Sequence, residues 1–195
     1  MRPGRRARDA IQAISDKHIV GAVCAIPWNG CDPPLGDERR QCGLDGVPAA
    51  TLDELYAVAA KAKDAYAEAM TAACPSGAVL KLAPLKGRAR AAAKAKNEYA
   101  KRAAPATSWL FDVVRGNVIC DTEAELVGLI RALDADEGVK IVRLKNRFSP
   151  PEFNGYRDML LNVAVRVAVD DREIWHLCEL QVHHVRASRA DVRLF

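Results

Sequence analysis

The chain has 195 residues, 50% of them hydrophobic, which suits one domain with an ordinary core and a short extra segment at the N-terminus. Aromatics are only 6% and alanine supplies much of the apolar count, so helices should be abundant. The net charge of +4 is modest but uneven: Lys81, Lys86, Arg88, Arg90, Lys94, Lys96, Lys101 and Arg102 face Glu98 alone, which marks a solvated helix face or a surface for polyanions.

Residues 1–50 read as largely irregular, with Pro27, Pro33, Pro34, Gly36, Gly43, Gly46 and Pro48 breaking the second half. Arg2, Arg5, Arg6 and Arg8 precede the apolar run 19–26, which is too short to span a bilayer. A cytoplasmic location is expected, with organelle targeting by the arginine-rich leader as the alternative. Cys24, Cys31, Cys42, Cys74, Cys120 and Cys178 form no C-x-x-C pair, so zinc is not expected, nothing requires disulfides, and a reducing compartment is the default.

Order resumes at Thr51-Leu52-Asp53-Glu54, a capping box that opens a helix carrying Leu55, Ala59, Ala62, Tyr66, Ala69 and Met70 on one face and ending at Pro75 and Gly77. A second helix is predicted from Leu85 to about Ala103, with Lys86, Arg90, Lys94, Glu98 and Arg102 at every fourth position along one stripe. Leu110 to Cys120 reads as a strand. Thr122 to Glu125 is another capping box, opening a helix with Leu126, Leu129, Ile130 and Leu133 inward. Val139–Leu144 is a strand, 145–155 a loop, 156–169 a long strand, Asp170-Asp171-Arg172 a turn, and 174–183 the antiparallel partner. The expected class is α/β (α+β), a mixed sheet flanked by helices and spanning 51–195; the ending at Leu194-Phe195, after an arginine-rich stretch, reads as a shortened domain.

Two carboxylates stand inside apolar runs: Asp112 in Phe111-Asp112-Val113-Val114-Arg115-Gly116, and Glu179 in Cys178-Glu179-Leu180-Gln181-Val182. A buried carboxylate demands a partner, either a metal or a cation. One reading pairs Asp112 with Arg115 or a helix cation and leaves Glu179 facing solvent. The other sets both around magnesium, which takes hard oxygen ligands, with cations to neutralise phosphates, as phosphoryl-type transfer requires.

The order basic helix, Asp-led strand, basic loop, Gly-Tyr and Glu-x-Gln strand resembles the synthetase domain of the RelA/SpoT family, enzymes that make guanosine tetra- and pentaphosphate. The resemblance implies a nucleotidyltransferase-like fold without a hydrolase domain. It implies transfer of pyrophosphate from ATP to the 3′-hydroxyl of GDP or GTP with magnesium. On it, Asp112 and Glu179 would bind magnesium and carry catalysis; Lys86, Arg88, Arg90 and Lys94 would hold ATP; and Lys145, Arg147, Gly155 and Tyr156 would take the acceptor, with Tyr156 stacking on the base. Arg115 and Gln181 would support the site. Asn117 stands where the family carries an arginine, Arg157-Asp158 follow the Gly-Tyr in place of Gln-Ser, and His183-His184 close the Glu-x-Gln strand in place of Arg-Thr. Those departures keep two alternatives open: another acceptor, such as an adenine nucleotide or a transfer-RNA end, or an inactive nucleotide-binding or interaction domain. No membrane partner is expected.

Overall fold

A computed structural model describes residues 40–146 and 158–184. Their core is a mixed five-stranded sheet in the order β1-β2-β5-β4-β3, formed by Val79–Leu82 (β1), Arg115–Cys120 (β2), Val139–Asn146 (β3), Met159–Val169 (β4) and Arg172–His184 (β5). β2 runs parallel to β5, and every other pairing is antiparallel. The α/β class and the flanking helices agree with the sequence reading.

Helix α1, Leu52–Ala73, begins at the predicted capping box: Thr51 Oγ1 accepts from the Glu54 N–H at 3.2 Å, and Glu54 Oε2 accepts from the Thr51 N–H at 3.4 Å. Its buried face carries Leu55, Val58, Ala59, Ala62, Tyr66, Met70 and Ala73, the spacing of one helical stripe. Helix α3, Glu123–Ala135, has the second capping box at Thr122 and buries Leu126, Leu129, Ile130 and Leu133, as predicted. Both helices pack on one face of the sheet, where Val118, Leu161, Val163, Val165, Cys178, Leu180 and Val182 complete the core.

The second helix is shorter than predicted. Helix α2 spans Arg88–Glu98 rather than Leu85 to Ala103. Pro84 disfavours the helical region for Ala83, and the Lys86 N–H is committed to Val113 O at 3.0 Å, so 83–86 run extended alongside 113–115. Lys86 therefore lies ahead of the helix, and Arg102 in the turn beyond it. The strand expected from Leu110 begins only at Arg115, because 106–109 form a single 3-10 turn, and Asp112 precedes β2. β1 was not anticipated: it is short and mostly exposed, without a buried run to announce it. Lys145 and Asn146 belong to β3 and not to a loop. The rest of that loop and the predicted start of the following strand, 147–157, lie outside the described residues. Asp170, with φ of 52°, turns β4 into β5, a left-handed position that aspartate tolerates.

Because β2 begins opposite Glu179, the β5 backbone just upstream has no neighbour on that edge. Gln41 supplies one. Its side-chain amide donates to Leu177 O at 2.6 Å and to Leu110 O at 3.0 Å, while its Oε1 accepts from the Leu177 N–H at 2.9 Å. A buried carboxamide thus continues the ladder where the strand stops. Nearby, Cys42 is disulfide-bonded, although nothing in the sequence required a disulfide. Among the described residues no helix is long and apolar enough to cross a membrane.

His176, fully buried on the helix-covered face of β5, has both ring nitrogens without a hydrogen-bond partner among the described residues. Burial drives its pKa from the usual 6.5 down to about 3. The unfolded chain takes up this proton near pH 6.5 and the folded chain only near 3, so stability is expected to fall through that window by about 1.4 kcal/mol per pH unit. Urea unfolding of wild type and His176→Leu across that range checks this: the variant should lose one proton's worth of slope, and parallel curves would refute the assignment. Gln41→Ala should lower stability by about 1–3 kcal/mol, since it orphans the buried Leu177 N–H and carbonyl; an unmoved urea midpoint would show that the backbone finds other partners.

Candidate active site

The site lies on the sheet face opposite the α1 and α3 core, and its polar residues follow from strand register. Side chains of directly paired residues share a face. One row across the sheet is Arg143, Asn162, Glu179 and Arg115; the next is Lys145, Leu160, Gln181, Asn117 and Lys81. Lys145, Arg115 and Gln181, singled out from the sequence, therefore fall on the same face as Glu179.

Asp112 sits just before β2 and is only 6% exposed. Its Oδ2 accepts from the ammonium groups of both Lys86 and Lys94, the latter at 2.9 Å. Burial would raise the Asp112 pKa, but the hydrogen bonds and charges of the two lysines outweigh it and hold the carboxyl below its ordinary value. Burial likewise opposes the charge on Lys94, and Asp112 overrides it, raising that pKa. Of the two sequence readings of Asp112, pairing with helix-side cations is realised, through Lys86 and Lys94 rather than Arg115. The second carboxylate oxygen, Oδ1, is buried without a hydrogen-bond partner among the described residues.

Glu179 is fixed through its backbone. Its N–H donates to Val114 O at 3.0 Å, and its carbonyl accepts from the Tyr66 hydroxyl, reaching down from α1, at 2.9 Å. Gly116 makes that approach possible, since a Cβ there would lie 3.1 Å from the Tyr66 hydroxyl and 3.1 Å from Lys81 O. The Glu179 carboxylate is not simply solvent-facing. Gln181 Nε2 donates to its Oε1 at 3.2 Å, and burial, followed by the Asp112 charge, raises its pKa against the opposing pull of Lys94, Lys86 and Arg115. The two carboxylates thus share one electrostatic neighbourhood.

Lys86 is held at three points: its N–H on Val113 O, its ammonium on Asp112, and its carbonyl accepting from the Tyr56 hydroxyl of α1. Arg88 pairs with Asp53 at 2.6 Å and lies 4.7 Å over the Tyr56 ring, on the exposed rim. Arg90 is exposed one helical turn before Lys94. Arg147, Gly155 and Tyr156 lie outside the described residues. Sequence reasoning missed Asn162 and Arg143 as neighbours of Glu179 and Tyr56 and Tyr66 as clamps. Asn162 could have been found as the one polar residue in Met159–Val165; Tyr66 looked like ordinary core.

A magnesium ion is testable against this donor set. Asp112 Oδ1, unpartnered among the described residues, and the half-buried Glu179 carboxylate, which feels the Asp112 charge, are hard oxygen donors, so they fit it. Among the described residues no cluster of three or more His, Cys, Asp or Glu side chains could hold a metal, so the remaining ligands would be substrate oxygens and water.

This architecture is the fold of RelA/SpoT-type synthetases. Similar solved structures include small alarmone synthetase 1 from Bacillus subtilis bound to its product pppGpp, with 16% identity, a TM-score of 0.51 and 68% of each chain covered. Small alarmone synthetase 2 from the same organism is similar at 17% identity and TM-score 0.51, again over 68% of each chain. No protein-family model matches the sequence, and no curated protein matches it significantly.

Asp112→Asn keeps the volume but leaves Lys86 and Lys94 without their counter-charge, one of them buried. Urea unfolding should show a loss of about 1–3 kcal/mol. An unchanged midpoint would mean that the lysines find solvent or other partners at no penalty.

Proposed function

We propose that the chain is a pyrophosphokinase of the alarmone-synthetase type, moving the β,γ-pyrophosphate of ATP to the 3′-hydroxyl of GDP or GTP. The observation that carries this reading is the pairing of Asp112, one oxygen free, with a proton-seeking Glu179 on the adjoining strand, beside a cationic helix. The RelA/SpoT-type fold supports it.

In the transfer, the acceptor 3′-oxygen forms a bond to the β-phosphorus as the bond from that phosphorus to the α,β-bridging oxygen breaks, and AMP departs with the bridging oxygen. Asp112 and Glu179 would hold magnesium, which when bound offsets phosphate charge and aligns the reacting oxygens. Glu179 would take the hydroxyl proton, a role favoured by burial and the Asp112 charge, which raise its proton affinity. Lys86 and Lys94 would neutralise donor phosphates, with Arg88 and Arg90 on the exposed rim guiding the nucleotide in. Lys145 and Arg147 would meet acceptor phosphates, Tyr156 would stack on the acceptor base, and Gly155 would let the backbone come close. Arg115 stands beside Glu179 and tempers its basicity, while Gln181 orients its carboxylate.

Incubation with magnesium, γ-labelled ATP and separately GDP, GTP or bulk transfer RNA, resolved by thin-layer chromatography, tests this. Label on GDP or GTP with release of AMP is the expected result. Label on RNA alone would shift the acceptor class, and intact ATP with a folded chain would leave a nucleotide-binding module. Tyr156→Ala should weaken acceptor binding by about 1–3 kcal/mol with donor affinity unchanged; an equal loss for the donor would remove Tyr156 from the acceptor side.

A further inference from the structure

The Lys86–Asp112–Lys94 cluster occupies the carboxylate that the proposed function gives to a metal. Both ammonium groups share the single oxygen Oδ2, and the pair occupies the position a cation would take on that side of the carboxylate. Lys94, Lys86 and Arg115 all act on Glu179, and two of them hold Asp112, so an arriving dication meets cations at both carboxylates whereas an arriving anion meets its counter-charges. Lys94 has other places to rest: its ammonium is 4.0 Å from Glu98 Oε2 and 5.9 Å from the Tyr99 ring centroid, both on or beside its own helix. Lys94 is also more exposed than Lys86, at 21% of its side chain against 9%, so it can leave Asp112 without crossing the core. Oδ1 is already unpartnered.

We propose that Lys86 and Lys94 are exchangeable internal counter-ions of Asp112: a nucleoside polyphosphate binds first without metal, draws the lysines onto its phosphates, and only then opens Asp112 to a divalent cation. Metal does not load alone, because a dication must displace two ammonium groups from a buried carboxylate before any phosphate is present to take up their charge. This inference rests on the pyrophosphokinase reading for the identity of the ligand, but its test reads binding rather than turnover.

The probes are Mn²⁺, followed by the electron paramagnetic resonance of the free ion, and α,β-methylene-ATP, followed by calorimetry with EDTA present, both on the full chain. The wild type should bind the analogue in EDTA, should take up Mn²⁺ with the analogue bound, and should take up none at the same concentrations without it. Lys94→Met should raise Mn²⁺ affinity of the nucleotide-free chain by about tenfold and weaken metal-free analogue binding by about tenfold. Lys94→Arg should restore both towards wild type, and Lys96→Met, exposed on the same helix, should move neither. Nucleotide-free wild type that binds Mn²⁺ as tightly as the loaded chain overturns the proposal, as does failure of the analogue to bind in EDTA, or a Lys94→Met chain with unchanged or weaker Mn²⁺ binding. The wild-type arms decide it even where a variant fails to fold. A chain that meets these expectations yet transfers pyrophosphate to no acceptor loses only the functional reading; one that transfers it but loads Mn²⁺ alone loses only the counter-ion order.

Discussion

A carboxylate sealed at the end of a sheet must be neutralised, and the structure around Asp112 is organised by that requirement. Lys86 comes from an extended segment, Lys94 from α2, and Asp112 from the approach to β2, so one charge cluster ties three pieces of chain that share no continuous ladder. Tyr56 secures the same point from α1 by donating to the Lys86 carbonyl. Helix α2 buries only Ala91 and Ala95, too little apolar surface to set its position by packing alone. Electrostatics therefore does for α2 what the hydrophobic stripe does for α1 and α3.

The division of the sheet into two faces gives the cluster its setting. Alternation sends the even-numbered residues of β5 from Ile174 to Val182 into the helix-covered core, and sends Trp175, Leu177, Glu179, Gln181 and His183 to the other side. Tyr66 links the two: it belongs to the core by burial, yet its hydroxyl fixes the backbone of Glu179, whose side chain lies on the far face. Gly116 is the concession that lets a tyrosine approach a strand so closely. Stability and site geometry are thus carried by the same contacts. A change in α1 packing would be transmitted to Glu179 without any residue of the polar face being touched.

Charge balance at the site connects this arrangement to its chemistry. Asp112 is kept ionised by two lysines, whereas Glu179, buried beside that negative charge, is pushed towards holding a proton. Two carboxylates of one neighbourhood are thereby separated in proton affinity, one suited to binding cations and the other to accepting a proton. The lysines hold Asp112 ionised, and burial beside that charge raises Glu179, so the proposed filling order and the proposed transfer draw on the same residues.

Local chemistry determined what could be read without the structure. Both capping boxes, the inward faces of α1 and α3, the β4–β5 hairpin and the α/β class depend on residues within a few positions of one another, so they were legible in the sequence, as was the prominence of Asp112 and Glu179, carboxylates in apolar surroundings. Where long-range contacts compete with local propensity, only the tertiary structure decided. The basic run suggested a helix from Leu85, but hydrogen bonds from Lys86 to Val113 and Tyr56 hold its first residues extended. β1 exists because β2 offers an edge, and its own residues give no strand signal. Pairing of Asp112 with Lys86 and Lys94, the role of Gln41 as a substitute for a missing strand and the alignment of Asn162 and Arg143 with Glu179 all join residues distant along the chain. A sequence records which groups need partners; only the folded register settles which partners they meet.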